Sequence, residues 1–255
     1  MYKILSIALN TFRESVREKI IVVALLFGGI LMASAVFLSP LALGAREKIV
    51  TDVGLAAISI IGVLASILLG GALVHKEVEK KAIYLVLTRP VSRPFFLVGK
   101  LFGIMGAIAL VFCAMAAVLV GTIAAGKGAL HPVVFASMYL SLLETGVMCS
   151  IVLLFSTFTT PILTSFFALC FFAAGSMSND LRAFAEKFGG AASKLVTGLF
   201  YYLLPNLNVF NLRHEAVHDL PFRAGDVALA TGYAAVYSAV ALLFACFIFS
   251  RREFR

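Results

Sequence analysis

Charged residues are scarce in this sequence. Only 13% of its 255 residues are Asp, Glu, Lys or Arg, whereas soluble domains carry about a quarter. Hydrophobic residues make up 62%. This balance excludes an ordinary soluble domain and is typical of a protein that crosses a membrane several times. The net charge is +8. In a membrane protein the placement of basic residues determines orientation, so we do not interpret this charge as a nucleic-acid-binding surface and expect no nucleic-acid partner.

The cysteines are dispersed along the sequence, and the N-terminus does not show the pattern of a cleavable signal peptide. No C-x-x-C pair occurs, and each cysteine lies alone in an apolar run, which indicates small buried hydrophobic residues rather than a redox or metal site. The N-terminus has scattered charges and no small-residue cleavage site, so we expect no cleavable signal peptide. The four cysteines are Cys113, Cys149, Cys170 and Cys246.

Long apolar runs are what the sequence has in abundance. A membrane-spanning helix needs roughly 20 mostly apolar residues. We therefore expect an all-α membrane protein with a single transmembrane domain over residues 1–255, in which the fifth of six spans is short. The spans are expected at residues 20–38, 53–74, 95–125, 133–155, 161–177 and 227–250.

The distribution of Lys and Arg predicts the orientation. Most of the 21 basic residues lie in segments that are cytoplasmic if the N-terminus is cytoplasmic. We expect a multi-pass protein of the cell (inner) membrane with both termini in the cytoplasm. Residues 178–226 then form a long outer segment, and its apolar pieces predict short or re-entrant helices.

The first 19 residues predict a helix that lies on the membrane rather than across it. Leu5, Leu9, Phe12 and Val16 recur at helical spacing, with polar residues between them. This pattern predicts an amphipathic helix in the cytoplasmic interface.

The cytoplasmic loop at residues 75–94 combines dense charge with an apolar stretch. The run at 83–87, Ile-Tyr-Leu-Val-Leu, lies outside the predicted spans, and Pro90 and Pro94 follow it. A solvated loop does not need such residues. They are explained by burial against a partner protein or by packing on the ends of the chain's own helices.

This loop resembles the "KExExxxIYxxLxxPVSRxxFxxGK" segment of ABC-2 type transporter permeases, the membrane-spanning subunits of ABC transporters. The start of the chain and residues 52–74 and 201–213 are also similar, and the branch that includes the nitrous oxide reductase maturation permease is the most similar. Lys81-Ala82 departs from the Gly-Thr or Arg-Thr of many members. The matching residues are Lys76, Glu77, Glu79, Ile83, Tyr84, Leu87, Pro90, Val91, Ser92, Arg93, Phe96, Gly99 and Lys100.

The resemblance implies a permease that couples ATP hydrolysis by a separate ATP-binding subunit to export of a substrate. It implies a second permease copy or paralogue, with a homodimer expected, and no enzymatic activity or cofactor in this chain, since ATP and Mg belong to the partner. The loop would be the coupling helix that contacts the ATPase. The residues assigned to that contact are Glu77, Glu79, Lys80, Lys81, Tyr84, Arg89, Pro90 and Arg93.

Glu144 lies near the middle of the fourth predicted span. An ionisable group at that depth is costly unless it is paired or hydrated. It either lines a translocation path, binds a cationic part of the substrate or locks a dimer, or it is held structurally by Ser141 or Thr145.

The sequence His214-Glu215-Ala216-Val217-His218 matches the H-E-x-x-H pattern of zinc proteases, and a membrane metalloprotease is the alternative function. The segment allows roughly two helical turns before Pro221. Among the later acidic residues only Asp226 is available as a third ligand, and only if the loop folds back. His214 and His218 are therefore weak candidates for a metal site, in a protease or as a labile site in a permease.

Two other functional sites, a phosphate-binding loop and a rhomboid-type protease site, are not supported by the sequence. Residues 121–129 resemble a phosphate-binding loop, but Gly128 replaces the Ser or Thr that would bind magnesium, and the segment follows a membrane span. No G-x-S-G motif or histidine in a later span supports a rhomboid-type protease.

Overall fold

The structure, a computed structural model, describes residues 2–38, 46–79, 93–126, 128–179 and 204–251. Within these ranges the chain is helical and contains no β-strand. Five of the described helices are long and apolar enough to cross a membrane. The prediction of an all-α fold with several membrane-spanning helices is confirmed at this level.

Eight α-helices make up the described fold. Proline occupies the first position of α5 and of α6, where the missing N–H would have no intrahelical partner in any case. A 3₁₀ turn at Leu207–Phe210 precedes the short α7. The helices are α1 (Tyr2–Arg17), α2 (Lys19–Leu38), α3 (Arg46–Glu79), α4 (Arg93–Ala125), α5 (Pro132–Ser156), α6 (Pro161–Ser176), α7 (Arg213–Val217) and α8 (Ala224–Arg251).

Two helices depart from the expected span lengths. Helix α3 has 34 residues and extends beyond the predicted 53–74 at both ends, with a length of about 51 Å against a hydrocarbon layer of about 30 Å. Helix α6 has 16 residues and is about 24 Å long. The predicted fifth span, 161–177, is therefore an apolar helix shorter than the hydrocarbon layer.

The outer surface of the bundle is apolar. Ile162 is 83% exposed, Phe37 82% and Leu229 75%. Water would penalise such exposure, whereas lipid chains do not, because they are as apolar as these side chains. Cys113 and Cys170 also lie on this exposed surface, contrary to the expectation that all four cysteines are buried.

Contacts between helix ends show how the helices run. Phe96, near the start of α4, stacks on Phe249, near the end of α8, with 6.4 Å between ring centroids. Gly71, late in α3, lies against Thr164 at the start of α6. The end of α3, the start of α4 and the end of α8 therefore share one end of the bundle with α1, which we call the α1 end. The start of α3 and residues 204–223 form the opposite end, called the α7 end.

Helix α1 packs along the first half of α4. A Cβ atom added at Gly103 would lie 2.6 Å from the carbonyl oxygen of Ala8 and 2.6 Å from Cβ of Thr11. One added at Gly99 would lie 2.9 Å from Cγ2 of Ile7. The two backbones approach this closely because α4 has glycine at the contact.

The packing face of α1 differs from the predicted apolar stripe. Phe12 and Val16 do pack against the core. Leu5 and Leu9, however, are 59% and 49% exposed and point away from the bundle. They are left to contact lipid, as expected for an interfacial helix.

Helix α5 is the centre of the bundle. It contacts α3, α4, α6, α7 and α8. About two thirds of its most apolar stretch is buried inside the protein. Most side chains on α5 therefore meet other helices rather than lipid.

Candidate functional site

Glu144 lies midway along α5 and is 9% exposed. Its partner comes from another helix, since the Ser59 hydroxyl on α3 donates a hydrogen bond of 2.8 Å to Oε2 of Glu144. The partners considered from the sequence are not used. Thr145 Oγ1 donates to the carbonyl oxygen of Ser141 at 2.9 Å, within α5.

Gly62, one turn along α3 from Ser59, allows α3 to approach α5 this closely. A Cβ atom added there would overlap the ring of Phe112 and lie 2.8 Å from Thr145 Oγ1. Any larger residue at position 62 would push α3 away from its neighbours. The hydrogen bond between Ser59 and Glu144 depends on this contact.

A pocket of about 190 Å³ extends from Glu144 toward the α7 end. It lies between α3, α5 and α6, and residues 207–213 border it. Leu55, Ile60 and Phe172 give it an apolar wall. Its polar lining consists of Ser59, Ser137, Ser141, Glu144, Ser176, Asn208, Asn211 and Arg213.

An ion pair lies at the α7 end of the pocket. Nε of Arg213 donates directly to Oδ1 of Asp52 on α3. Both side chains are about 40% exposed, which indicates contact with water. Neither residue was singled out from the sequence, because 161 positions separate them and no local pattern links them.

The H-E-x-x-H segment forms less helix than expected. Helix α7 covers Arg213–Val217, and His218 is its C-terminal cap. Asp219 follows with a φ of 52°, in the left-handed region, where a helix cannot continue. The two rings lie close, with 4.4 Å between the centroids of His214 and His218.

No metal-binding group forms around these histidines in the described part of the chain. No cluster of three His, Cys, Asp or Glu side chains is placed to hold an ion. Asp219, the acidic neighbour, lies instead 3.6 Å from Nε2 of His131. Oε2 of Glu215, the glutamate of the motif, is buried with no hydrogen-bond partner among the described residues.

The segment that resembles a phosphate-binding loop is the end of α4. Its helix continues to Ala125. The backbone N–H of Gly126 donates to the carbonyl oxygens of Thr122 and Ile123, and that of Gly128 also donates to Ile123. These N–H groups are therefore not directed at a phosphate.

The predicted coupling residues lie at the α1 end. Glu77 and Glu79 are in the last turn of α3, and Arg93 is the first residue of α4. Lys80, Lys81, Tyr84, Arg89 and Pro90 lie outside the described residues, so the predicted contact surface has described residues only at its two edges.

Three residues at the end of the loop motif pack inside the bundle. Phe96 stacks on Phe249 of α8, and Gly99 packs against Ile7 of α1. Lys100 is 1% exposed rather than extended to the interface, and its Nζ lies 5.3 Å from the centroid of the Phe96 ring. These contacts fix the start of α4 against both α1 and α8.

Comparison with known proteins adds no identification. Neither a search of protein-family models nor a search of curated proteins finds a match to this chain.

Proposed function

We propose that this chain is the membrane subunit of an ATP-driven transporter of the ABC-2 type, acting with a separate ATP-binding subunit. In this proposal the protein lies in the inner membrane with the α1 end in the cytoplasm. It forms a dimer with a second copy or a paralogue and exports its substrate.

The observation that supports the proposal most is that the last part of the loop motif packs within the bundle, whereas its first part connects the end of α3 to the start of α4. Its last part, Phe96, Gly99 and Lys100, packs within the bundle and holds the start of α4. Its first part, from Glu77 to Arg93, begins at the end of α3 and ends at the start of α4, so it can transmit force to both helices. Packing of its last part within the bundle, and the charged and apolar residues of its first part, suit a segment that docks into another protein.

The position of α1 supports the same proposal. Leu5 and Leu9 are exposed for lipid, while Thr11 and Ser15 are buried in the bundle. The helix packs on the start of α4 through its contacts with Gly99 and Gly103. A partner that bound the loop would meet α1 at the same surface.

The test is co-purification with measurement of ATP hydrolysis. The full chain, tagged and expressed in its native host, is purified in mild detergent, and the preparation is reconstituted in liposomes. We expect an ATP-binding subunit in the complex and ATP hydrolysis by it. Glu79→Arg and Arg93→Glu should each remove most of that subunit, because reversing an interfacial charge costs several kcal/mol.

Arg223→Glu is the matched control. It reverses an exposed charge at the α7 end and should leave the complex intact. The proposal is wrong if no ATP-hydrolysing subunit is present, or if the complex and its ATPase rate are unchanged in both loop variants.

A further inference from the structure

We propose that the pocket at Glu144 binds a small organic cation with N–H donors, of the alkylammonium class, through the Glu144 carboxylate and nearby serine hydroxyls. This inference rests on the proposed function only for the transport step, since it names the class of solute that the transporter would carry. Binding itself is a property of this chain.

The balance of charge favours a cation. Two charged residues line the pocket among the described residues, Glu144 and Arg213. Arg213 is paired with Asp52, so its charge is compensated. The carboxyl group of Glu144 has no cationic partner there, and a positive ligand beside it would favour its ionised form inside a bundle of apolar helices.

The hydrogen bonding of Glu144 is incomplete. Ser59 donates to Oε2, whereas Oε1 accepts no hydrogen bond from the described residues. A carboxylate can accept several, and a buried one is stabilised when it does. The N–H groups of an ammonium ligand would supply the missing donors.

Serines on the pocket wall differ from other serines in the bundle. Ser66, Ser150 and Ser156 each donate to a backbone carbonyl of the preceding turn, at 2.7–3.0 Å. The hydroxyls of Ser137 and Ser141 make no hydrogen bond in the described structure, although both residues are buried. They are free to accept from a ligand beside Glu144.

The rest of the lining favours an organic cation over a metal ion. A divalent metal prefers several carboxylate or carbonyl oxygens, and the described pocket lining holds one carboxylate. Leu55, Ile60 and Phe172 instead provide an apolar wall for the carbon part of a small solute. Asn208 and Arg213, at the hydrated end, place the entrance toward water.

Binding is measured on the purified full chain in detergent, without any ATPase, so the result is independent of the proposed function. The probes are n-butylammonium, tetramethylammonium and n-butanol, followed by saturation-transfer NMR. We expect the affinity to fall in that order. Glu144→Gln should weaken n-butylammonium at least about tenfold, because a charge-assisted hydrogen bond is lost.

Two further variants keep the test decisive. Asp226→Asn removes an exposed carboxylate outside the pocket and should bind n-butylammonium as the parent protein does. Ala56→Leu places a larger apolar side chain in the pocket without changing charge and should also weaken the binding of n-butylammonium, which covers the case that Glu144→Gln fails to fold. The proposal is overturned if n-butanol binds as well as n-butylammonium. Equal weakening by Asp226→Asn, or full binding by either pocket variant, also overturns it.

Discussion

The two ends of the bundle use small residues in opposite ways. At the α1 end, Gly99 and Gly103 remove side-chain volume so that α1 and α4 meet backbone to backbone. At the α7 end, small polar residues such as Ser59 and Ser141 leave space, and a pocket remains around Glu144. Glycine at the contact of α1 with α4 and serine around the pocket therefore have opposite effects on spacing, although Gly62 also brings α3 close to α5 beside the pocket. The difference places a tight contact between two helices at the α1 end and a pocket between helices on the side of the α7 end.

The largest effect on stability is expected where α1 packs against α4. Gly103→Leu places a side chain where the Ala8 carbonyl lies and should lower the free energy of unfolding by about 1–3 kcal/mol, as overpacking does. Thermal and denaturant unfolding in detergent measures it. Gly121→Leu, on the same helix with open space around it, is the control and should be neutral. Equal losses in the two variants would contradict the close contact.

The next effect compares two serine hydroxyls in the pocket, that of Ser59, which donates to Glu144, and that of Ser141, which makes no hydrogen bond in the described structure. Ser59→Ala removes the hydroxyl that donates to Oε2 of Glu144 and should cost about 0.5–1.5 kcal/mol of unfolding free energy, the usual net contribution of one hydrogen bond. Ser141→Ala removes a hydroxyl that makes no hydrogen bond in the described structure and should change stability little. Denaturant unfolding of both variants checks this pair. If Ser141→Ala were the more damaging change, the assignment of Ser59 as partner would be wrong.

A smaller effect is expected for the ion pair at the mouth of the pocket. A double-mutant cycle with Asp52→Asn and Arg213→Gln should give a coupling energy of about 0.2–1 kcal/mol, because both groups are partly exposed. The coupling should fall in high salt, which screens exposed charges. A larger, salt-independent value would mean that this end is closed to water.

The smallest effect concerns the histidine pair. Zinc titration of the purified protein should give the same binding in the parent and in the His214→Ala/His218→Ala variant, because the described residues supply no third ligand. Isothermal calorimetry measures it. Loss of a stoichiometric zinc site in the variant would restore the metal hypothesis for this segment.

The helices were predictable from the sequence, because an apolar run in a membrane must satisfy its backbone internally and so forms helix. The depth of Glu144 followed from its place in its span. Its partner did not, since Ser59 is 85 residues away and the pairing depends on the rotation and close approach of α3 and α5. Gly62 sets that approach, and its role is visible only once Phe112 and Thr145 lie beside it. The pair of Asp52 and Arg213 was missed for the same reason.

Helix α3 connects the two ends without a break. It runs from Asp52, at the mouth of the pocket, to Glu79, where the loop begins. Ser59 and Glu79 are about 30 Å apart along its axis. A helix is stiff along its axis, so we expect that a displacement of Glu79 along that axis would also move Ser59 relative to Glu144. Under the proposed function, α3 is the element through which occupancy of the pocket would affect the helix end at Glu79.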